Sequence, residues 1–282
     1  LVRIMVAGAL HLDVVLRAPN MAQLDETVAG SSVAYVFGGK GGNQAVAAAR
    51  MGASVAFGGR IGKDAFGATL RDVLVSADVD IRQVQSDPGA SGMSAAIVDD
   101  NGEYGAVIIS EANQRIEPEL IEFPPATQLV ILQNEVPDAV NMAVARKARH
   151  AGACVWLTAA PARPLSQEML AAVDLFIVNR VEAEFYADAV PVARTLTPLG
   201  SKGARFGTVT SPGIAVDVVS THGAGDVFVG ALAAQVVRGI PVADAIPFAQ
   251  AAAALHVSMP VTARAALTRD RVDQFVADLA SR

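Results

Sequence analysis

Small residues crowd one segment near the C-terminal end of the sequence, Ser220–Asp226, directly before a long helical pattern. Gly223, Ala224 and Gly225 would leave backbone N–H groups uncovered at the start of that helix. Such groups, together with the helix dipole, favour an anion such as a phosphate. An aspartate in a first helical turn is also a common capping residue. A capping role does not need three small residues before it, whereas a phosphate approaching the backbone does. The segment therefore predicts a phosphate site with the carboxylate of Asp226 at its edge.

A second glycine-rich segment, Gly38–Asn43, also runs into a helical pattern. Its glycines let the backbone approach a ligand closely, and Lys40 and Asn43 add polar groups at the mouth of the helix. A flexible turn before an amphipathic helix is the alternative, and alone this segment is a weak signal. It does not match the dinucleotide fingerprint, because Gln44 stands where the third glycine is needed. Nor does Gly62-Lys63-Asp64 complete a P-loop.

Composition limits the classes of function. The chain has 282 residues, of which 52% are hydrophobic and 18% charged, with a net charge of −6 and one cysteine. Mild acidity without a basic cluster argues against nucleic acid as a partner. No apolar run reaches the roughly 18 residues of a membrane span, so we expect no membrane association. The beginning of the sequence does not resemble a secretory signal, and a single cysteine fits a reducing cytoplasm.

Short apolar runs alternate with helical patterns, which predicts an α/β fold with a mostly parallel sheet covered on both faces. The predicted buried strands are Arg3–Ala7, Val55–Gly58, Leu129–Leu132, Cys154–Leu157, Leu175–Val178 and Arg205–Val209. The predicted helices are Asn43–Met51, Ala65–Ala77, Asp138–His150, Ser166–Ala172, Gly225–Val237, Val242–Ser258 and Arg269–Leu279. Cys154 and Trp156 fall in an apolar strand and are interpreted as core residues.

Four further segments are typical of antiparallel strands: Leu12–Arg17, Thr27–Phe37, Met93–Asp99 and Tyr104–Ser110. The last two are joined by Asp100–Glu103, whose Asn-Gly pair is a turn signal. Four strands are too few to fold alone. We expect a small sheet that stands off the main one as a lid.

The two glycine-rich segments, in this order and near opposite ends of the chain, resemble the paired signatures of the ribokinase-like (PfkB) carbohydrate kinase family. The resemblance extends almost end to end. It implies a three-layer α/β sandwich with a central mostly parallel sheet and a small β-sheet lid. It also implies one kinase domain over residues 1–282, with lid strands from about 12–37 and 93–110. The implied reaction is ATP-dependent phosphorylation of the primary hydroxyl of a small sugar. Ribose or a related pentose is the favoured acceptor.

The resemblance also implies roles for individual residues. Asp226 would be the general base, with the amides of Gly223, Ala224 and Gly225 as anion hole. The sugar would contact His11, Asp13, Gly38, Gly39, Lys40, Asn43, Glu135 and Asp226. The nucleotide would contact Asn179, Gly200, Ser201, Gly203, Gly223 and Gly225. Glu182 and Asn179 would act on Mg²⁺ through water. A homodimer that pairs through the lid strands is expected by the same analogy.

Some positions depart from the family pattern. His11 stands where members that phosphorylate ribose carry asparagine, so another sugar, or pseudouridine or another nucleoside, is an alternative acceptor. Ser220 replaces a common aspartate, and Met259–Thr262 does not match the segment associated with a monovalent cation, which weighs against K⁺ activation. His222 is interpreted as incidental. The stretch Ala187–Pro198 is short for a crossover, so either a helix is lost or part of a loop is missing. A catalytically silent sugar- or nucleotide-binding module is the alternative from another class.

Overall fold

The structure, a computed structural model, describes residues 3–281. Those residues form the following strands: β1 Ile4–Ala7, β2 His11–Arg17, β3 Ser32–Gly38, β4 Val55–Gly62, β5 Asp80–Asp87, β6 Met93–Val98, β7 Tyr104–Ile109, β8 Leu129–Gln133, β9 Cys154–Thr158, β10 Leu175–Ile177, β11 Thr195–Pro198, β12 Ala204–Phe206 and β13 Val209–Ser211. Their α-helices are α1 Lys40–Arg50, α2 Ala65–Ser76, α3 Asp138–His150, α4 Gln167–Ala172, α5 Arg180–Phe185, α6 Ala224–Val236, α7 Val242–Ser258 and α8 Arg269–Ala280.

Nine strands form one large sheet in the order β13-β12-β11-β10-β9-β8-β1-β4-β5. Pairing is parallel from β5 to β11, and only β12 and β13 run antiparallel at one edge. Alternate residues of β1 enter opposite hydrophobic layers, Ile4 and Val6 on one side, Met5 and Ala7 on the other. Helices α1, α2, α6, α7 and α8 cover the first side, and α3, α4 and α5 cover the second. The expected three-layer α/β architecture is confirmed.

A separate sheet has the order β3-β2-β6-β7. The prediction of antiparallel strands is wrong for the central pair, because β2 and β6 are parallel; β3 and β7 lie antiparallel at the edges. β2 begins only a few residues after β1 ends, so residues at the start of β2 lie beside the carboxyl end of the large sheet. The small sheet therefore adjoins the edge at which α/β proteins bind ligands. No helix within residues 3–281 has the length and apolarity to cross a bilayer.

Several predicted bounds are wrong. A single strand over Arg205–Val209 is instead the hairpin of β12 and β13, which turns at Gly207 with φ of 60°. Thr27–Phe37 begins too early, because pairing with β2 starts at Ser32. Helix α1 begins at Lys40 rather than Asn43, since Gly39 is its N-cap. Cys154 is exposed at the first position of β9 rather than in the core.

Two strands of the large sheet escape the sequence patterns. β5 is polar and lies at the sheet edge, and β11 is short and ends in Pro198. The connection between β10 and β11 holds α5 and a 3-10 turn at Val192–Arg194. A short helix therefore remains in this crossover.

Candidate active site

Asp226 lies in the first turn of α6, and Gly223 is the N-cap with a left-handed φ of 76°. The carboxylate does not cap the helix. Its Oδ1 accepts a hydrogen bond from Gln44 Nε2 at 2.9 Å, and its Oδ2 accepts one from Asn43 Nδ2 at 3.3 Å. Both donors belong to the first turns of α1, so the two glycine-rich segments meet at this carboxylate. The capping interpretation of Asp226 is thereby excluded.

The meeting of these segments depends on close packing of α1 against α6. A Cβ atom at Gly230 would lie 2.6 Å from both Ala47 Cβ and the backbone nitrogen of Ala48. Real Cβ contacts are not that short, so only glycine permits this helix separation. Because α6 approaches so closely, the side chains of the first turn of α1 reach Asp226.

A buried amide network holds the carboxylate in place. Gln44 is fully buried, and its Nε2 is also 3.2 Å from Thr158 Oγ1. Gln133 Nε2 in turn donates to Gln44 Oε1 at 2.9 Å. Each amide is thus oriented by its neighbour, and this orients the donor that faces Asp226. Neither Gln44 nor Thr158 is among the predicted site residues, although Gln44 follows Asn43 within the glycine-rich segment.

Electrostatics at Asp226 combine burial with opposite charge. Burial raises the pKa of the Asp226 carboxyl, while Lys40, Gln44 and Asn43 act in the opposite direction. The pKa of Lys40 is raised: burial opposes its charge, but Asp226, Glu135 and Glu182 together outweigh that effect. A permanently charged ammonium therefore lies among three carboxylates.

Glu135 follows β8 and reaches the start of α1. Its Oε2 accepts a hydrogen bond from the backbone N–H of Lys40 at 2.7 Å, the first amide of that helix. Burial raises the pKa of Glu135 to about 7, with Asp226 and Asp13 adding repulsion and Lys40 opposing it. This carboxyl group consequently changes protonation near neutral pH.

Asp13 lies on β2 at the edge of the same cluster. Its Oδ1 accepts a hydrogen bond from Ser94 Oγ at 2.6 Å, and its Oδ2 lies 3.9 Å from His222 Nε2. A Cβ at Gly38 would fall 2.2 Å from Asp13 Oδ2, so glycine leaves the space beside the carboxylate free. His222, interpreted as incidental from the sequence, thus lies near Asp13, although 3.9 Å is too long for a hydrogen bond.

His11 is buried more deeply than the sequence suggests. It is 4% exposed, and its Nε2 is enclosed without a hydrogen-bond partner among residues 3–281. Burial lowers the pKa of His11 even though Asp13 favours its charged form. Direct contact between His11 and a sugar stays a prediction.

A cavity of about 530 Å³ opens where β9, β10 and β11 end and α6 begins. Lys40 and Asp226 stand at its boundary. The lining includes every residue predicted to contact nucleotide: Asn179, Gly200, Ser201, Gly203, Gly223 and Gly225. The sequence interpretation missed the apolar part of the wall, which includes Ile214, Val216, Val218 and Val257. Ile214, Val216 and Val218 stand at every second position, and this alternation is the sequence signal that would have predicted an apolar wall.

Asn179 and Glu182 form a reciprocal capping box at the start of α5. The Asn179 side chain accepts from the Glu182 backbone N–H at 3.0 Å, and Glu182 Oε2 accepts from the Asn179 backbone N–H at 2.8 Å. Glu182 is buried, and both residues face the cavity. Their spacing thus has a structural role, and it leaves a buried carboxylate at the cavity wall.

The amides expected to form an anion hole lie at this wall as well. Gly223 and Gly225 line the cavity together with Ala224, but the Ala224 N–H donates to the Thr221 carbonyl at 3.2 Å. The first amides of a helix have no intrahelical acceptor. Gly223 and Gly225 are therefore better placed than Ala224 to hold an anion.

Known proteins resemble this chain in sequence and in fold. The family model described as pfkB family carbohydrate kinase matches residues 2–268. Ribokinase from Lactococcus lactis is 33% identical over 90% of both chains, and ribokinase from Bacillus subtilis is 30% identical over 97% of this chain and 99% of its own. The structure of Arabidopsis thaliana ribokinase complexed with ribose and ATP superposes with a TM-score of 0.85 at 25% identity, covering 97% of this chain and 98% of that one. With its paired glycine-rich segments meeting at one buried carboxylate, this chain belongs to the pfkB family of carbohydrate kinases.

Proposed function

We propose that this chain transfers the γ-phosphoryl group of ATP to the primary hydroxyl of a small sugar, with ribose or a related pentose as the favoured acceptor. One observation carries the proposal: Asp226 stands between the large cavity and the polar cluster of Asp13, Lys40 and Glu135. A phosphate donor on one side and an alcohol on the other would meet at this carboxylate.

ATP occupies the cavity in this proposal. An apolar wall suits the adenine ring, and the volume falls within the range of small-molecule sites, about 300–1,000 Å³. The phosphates lie toward the start of α6, where the amides of Gly223 and Gly225 and the helix dipole favour negative charge. Gly200, Ser201 and Gly203 line the cavity at the end of β11, away from α6, and contact the ribose and adenine.

Asp226 acts as the general base. Burial raises its pKa, which makes the carboxylate a stronger base than one in water, and the charge of Lys40 favours its ionised form. The sugar hydroxyl gives its proton to Asp226 as the oxygen–phosphorus bond forms and the bond from the γ-phosphorus to the bridging oxygen breaks, leaving ADP. Phosphoryl transfer depends mainly on positioning and charge stabilisation. Lys40 and the α6 amides provide the positive field.

Asp13, Asn43 and Glu135 hold the sugar, with Gly38 and Gly39 allowing close approach of the backbone. Carboxylates accept hydrogen bonds from hydroxyl groups strongly, and an amide supplies both a donor and an acceptor. A polyol offers such groups at every carbon, so this side-chain set fits it.

Magnesium enters with the nucleotide. Mg²⁺ keeps several waters and is usually held by one or two carboxylates together with substrate phosphates. Glu182 fits this donor set, because it is a buried carboxylate at the cavity wall whose partner Asn179 holds it in one orientation. Glu182 and Asn179 would hold the ion through its waters, and the bound ion would neutralise charge on the phosphates.

The small sheet acts as a lid and as a dimer interface. Val33, Tyr35, Val107 and Ile108 on its strands are each more than half exposed, an unusual density of apolar side chains for one small sheet. A second copy covers these strands by pairing lid to lid. Light scattering tests the interface: we expect a dimer in the native chain and a monomer in Val107→Lys. Sugar phosphorylation of this kind belongs in the cytoplasm, where ATP is supplied.

A panel of acceptors tests the activity. ADP release is measured with ribose, other pentoses, fructose, adenosine and pseudouridine, each with and without Mg²⁺. We expect release to depend on an added pentose and on the metal. A nucleoside preferred over every sugar would instead make this a nucleoside kinase. No acceptor-dependent ADP release at all would make it a silent binding module.

A further inference from the structure

A buried arginine, Arg264, donates hydrogen bonds to the loop that precedes α6. Arg264 Nη2 donates to the carbonyl of Ser220 at 2.6 Å, and its Nη1 donates to the carbonyl of His222 at 3.0 Å. Arg264 lies on a 3-10 segment, Val261–Ala266, which follows α7. Its side chain is 7% exposed. Two main-chain oxygens of one loop therefore converge on one cation.

The hydrogen-bond acceptors of the Arg264 guanidinium are unusual for a buried arginine, because both are backbone carbonyl oxygens. Within residues 3–281 no carboxylate oxygen lies within 4.0 Å of the Arg264 guanidinium. Arginine remains protonated in proteins, and a buried charge without a counter-ion is costly. Carbonyl dipoles alone compensate it, which is how proteins hold a desolvated alkali cation.

Other contacts fix the same loop. His256 Nε2 lies 2.9 Å from the His222 carbonyl, and burial lowers the pKa of His256. A neutral imidazole can donate through Nε2 to that oxygen. The backbone N–H groups of Val219 and Ser220 both donate to the Val257 carbonyl. The loop is thus attached to the end of α7.

The geometry of a peptide unit relates these contacts to the phosphate site. The His222 carbonyl and the Gly223 N–H belong to one planar trans peptide, so they point in opposite directions. A cation that holds the carbonyl fixes the direction of the N–H. It also polarises the peptide and makes that N–H a better donor. Gly223 lines the cavity at the start of α6.

We propose that Arg264 is a built-in cation that positions the His222–Gly223 peptide, aiming the Gly223 N–H at the transferring phosphoryl group. This inference rests on the proposed kinase function for its kinetic consequence, though not for the structural one. The guanidinium occupies the place between the two carbonyls that a free monovalent cation would need. The native protein is therefore indifferent to K⁺.

Arg264→Ala, Arg264→Gln and Arg264→Lys test the inference, with Arg194→Ala as the matched control. Arg194 also grips two carbonyls, those of Leu170 and Val173, but far from the loop. Hydrogen exchange over residues 219–227, measured without substrate, and steady-state kinetics at constant ionic strength are compared among the variants. Both measurements are repeated with sodium, potassium and guanidinium chloride.

Arg264→Ala is expected to lose exchange protection over 219–227 and about 10²-fold in kcat, the effect of misplacing an oxyanion donor, with the sugar KM unchanged. Guanidinium or K⁺ restores part of both in Arg264→Ala and neither changes the native protein. Arg264→Lys is expected to give values between those of Arg264→Ala and the native protein. Arg264→Gln is expected to show the same losses as Arg264→Ala and takes its place if Arg264→Ala does not fold. Arg194→Ala behaves as native.

Native kcat in Arg264→Ala, unchanged exchange in that variant, or K⁺ activation of the native protein would each overturn the inference. If the native protein releases no ADP with any acceptor, the kinase proposal has failed separately. Exchange over 219–227 then decides the orienting role of Arg264 by itself.

Discussion

Replacing Asp226 with asparagine removes the proposed base while keeping the size of the side chain. Gln44 is fully buried and cannot turn away, so the new amide oxygen must face its Nε2. The new amide nitrogen then faces Asn43 Nδ2, and that 3.3 Å hydrogen bond is lost. One lost hydrogen bond costs about 1 kcal/mol of stability.

Relief of a buried charge offsets that cost. Because burial raises the pKa of Asp226 in the folded state, the carboxyl contributes stability below its unfolded pKa, and this contribution is lost as pH rises through the folded pKa. The penalty for the ionised carboxylate in the native protein grows as pH rises, whereas Asp226→Asn carries no such penalty at any pH. We expect the variant to unfold within a few degrees of the native protein, and to gain on it as pH rises.

The catalytic effect has a different size. Loss of a general base costs about 10²–10⁴-fold in kcat. ATP binding depends on the cavity and the α6 amides, so the nucleotide Kd should change little. Sugar-dependent ADP release, nucleotide titration and thermal unfolding at pH 5 and at pH 8 measure the three quantities.

Asp87→Asn serves as the control. The Arg115 side chain, with Arg60, lowers the pKa of the buried Asp87 to about 2, so its stabilisation is present at neutral pH and is lost only as pH falls through that value. This variant should lose stability at pH 7 and keep kcat. Asp226→Asn with native kcat would refute the base assignment. Equal losses of stability in the two variants would refute the electrostatic argument.

Three further substitutions probe the rest of the site. Because the Glu135 pKa is about 7, kcat/KM for the sugar should rise with pH through neutrality as the carboxylate becomes a stronger acceptor, and Glu135→Gln should remove that step from the pH profile. Ser94→Ala deletes the 2.6 Å hydrogen bond to Asp13 and should raise the sugar KM about 5-fold, the equivalent of about 1 kcal/mol, at unchanged kcat; an unchanged KM would separate Asp13 from the sugar. Glu182→Gln should raise the Mg²⁺ concentration for half-maximal rate and leave the sugar KM as it is, whereas an unaltered Mg²⁺ response would place the ion elsewhere.

The sequence predicts those parts of the site that depend on backbone access. The small residues at Gly38–Asn43 and Gly223–Gly225 can be read directly from the sequence, and residues of both segments line the cavity. The architecture follows in the same way from buried parallel strands such as β1, which is apolar throughout. Edge strands such as β5 are mostly polar and carry no comparable pattern.

Contacts between distant side chains are what the sequence does not reveal. Nothing local in Gln44 or Thr158 indicates that they meet at Asp226, since these contacts depend on how closely α1 packs on α6. His222 and Arg264 are similar cases. His222, in the loop before α6, lies near Asp13 of the small sheet. Arg264, in a 3-10 segment, donates to the carbonyl of His222, which is 42 residues away in the sequence. Only the folded chain brings them together.

The central pair of the small sheet couples two stretches of chain that leave the large sheet at different strands. β2 follows β1, and β6 follows β5, yet the two pair in parallel along their whole shared length. Because hydrogen bonds join all four strands, we expect the small sheet to move as one unit rather than as separate loops. Any displacement of this sheet would carry Asp13 and Ser94 together and change the distance from Asp13 to Asp226.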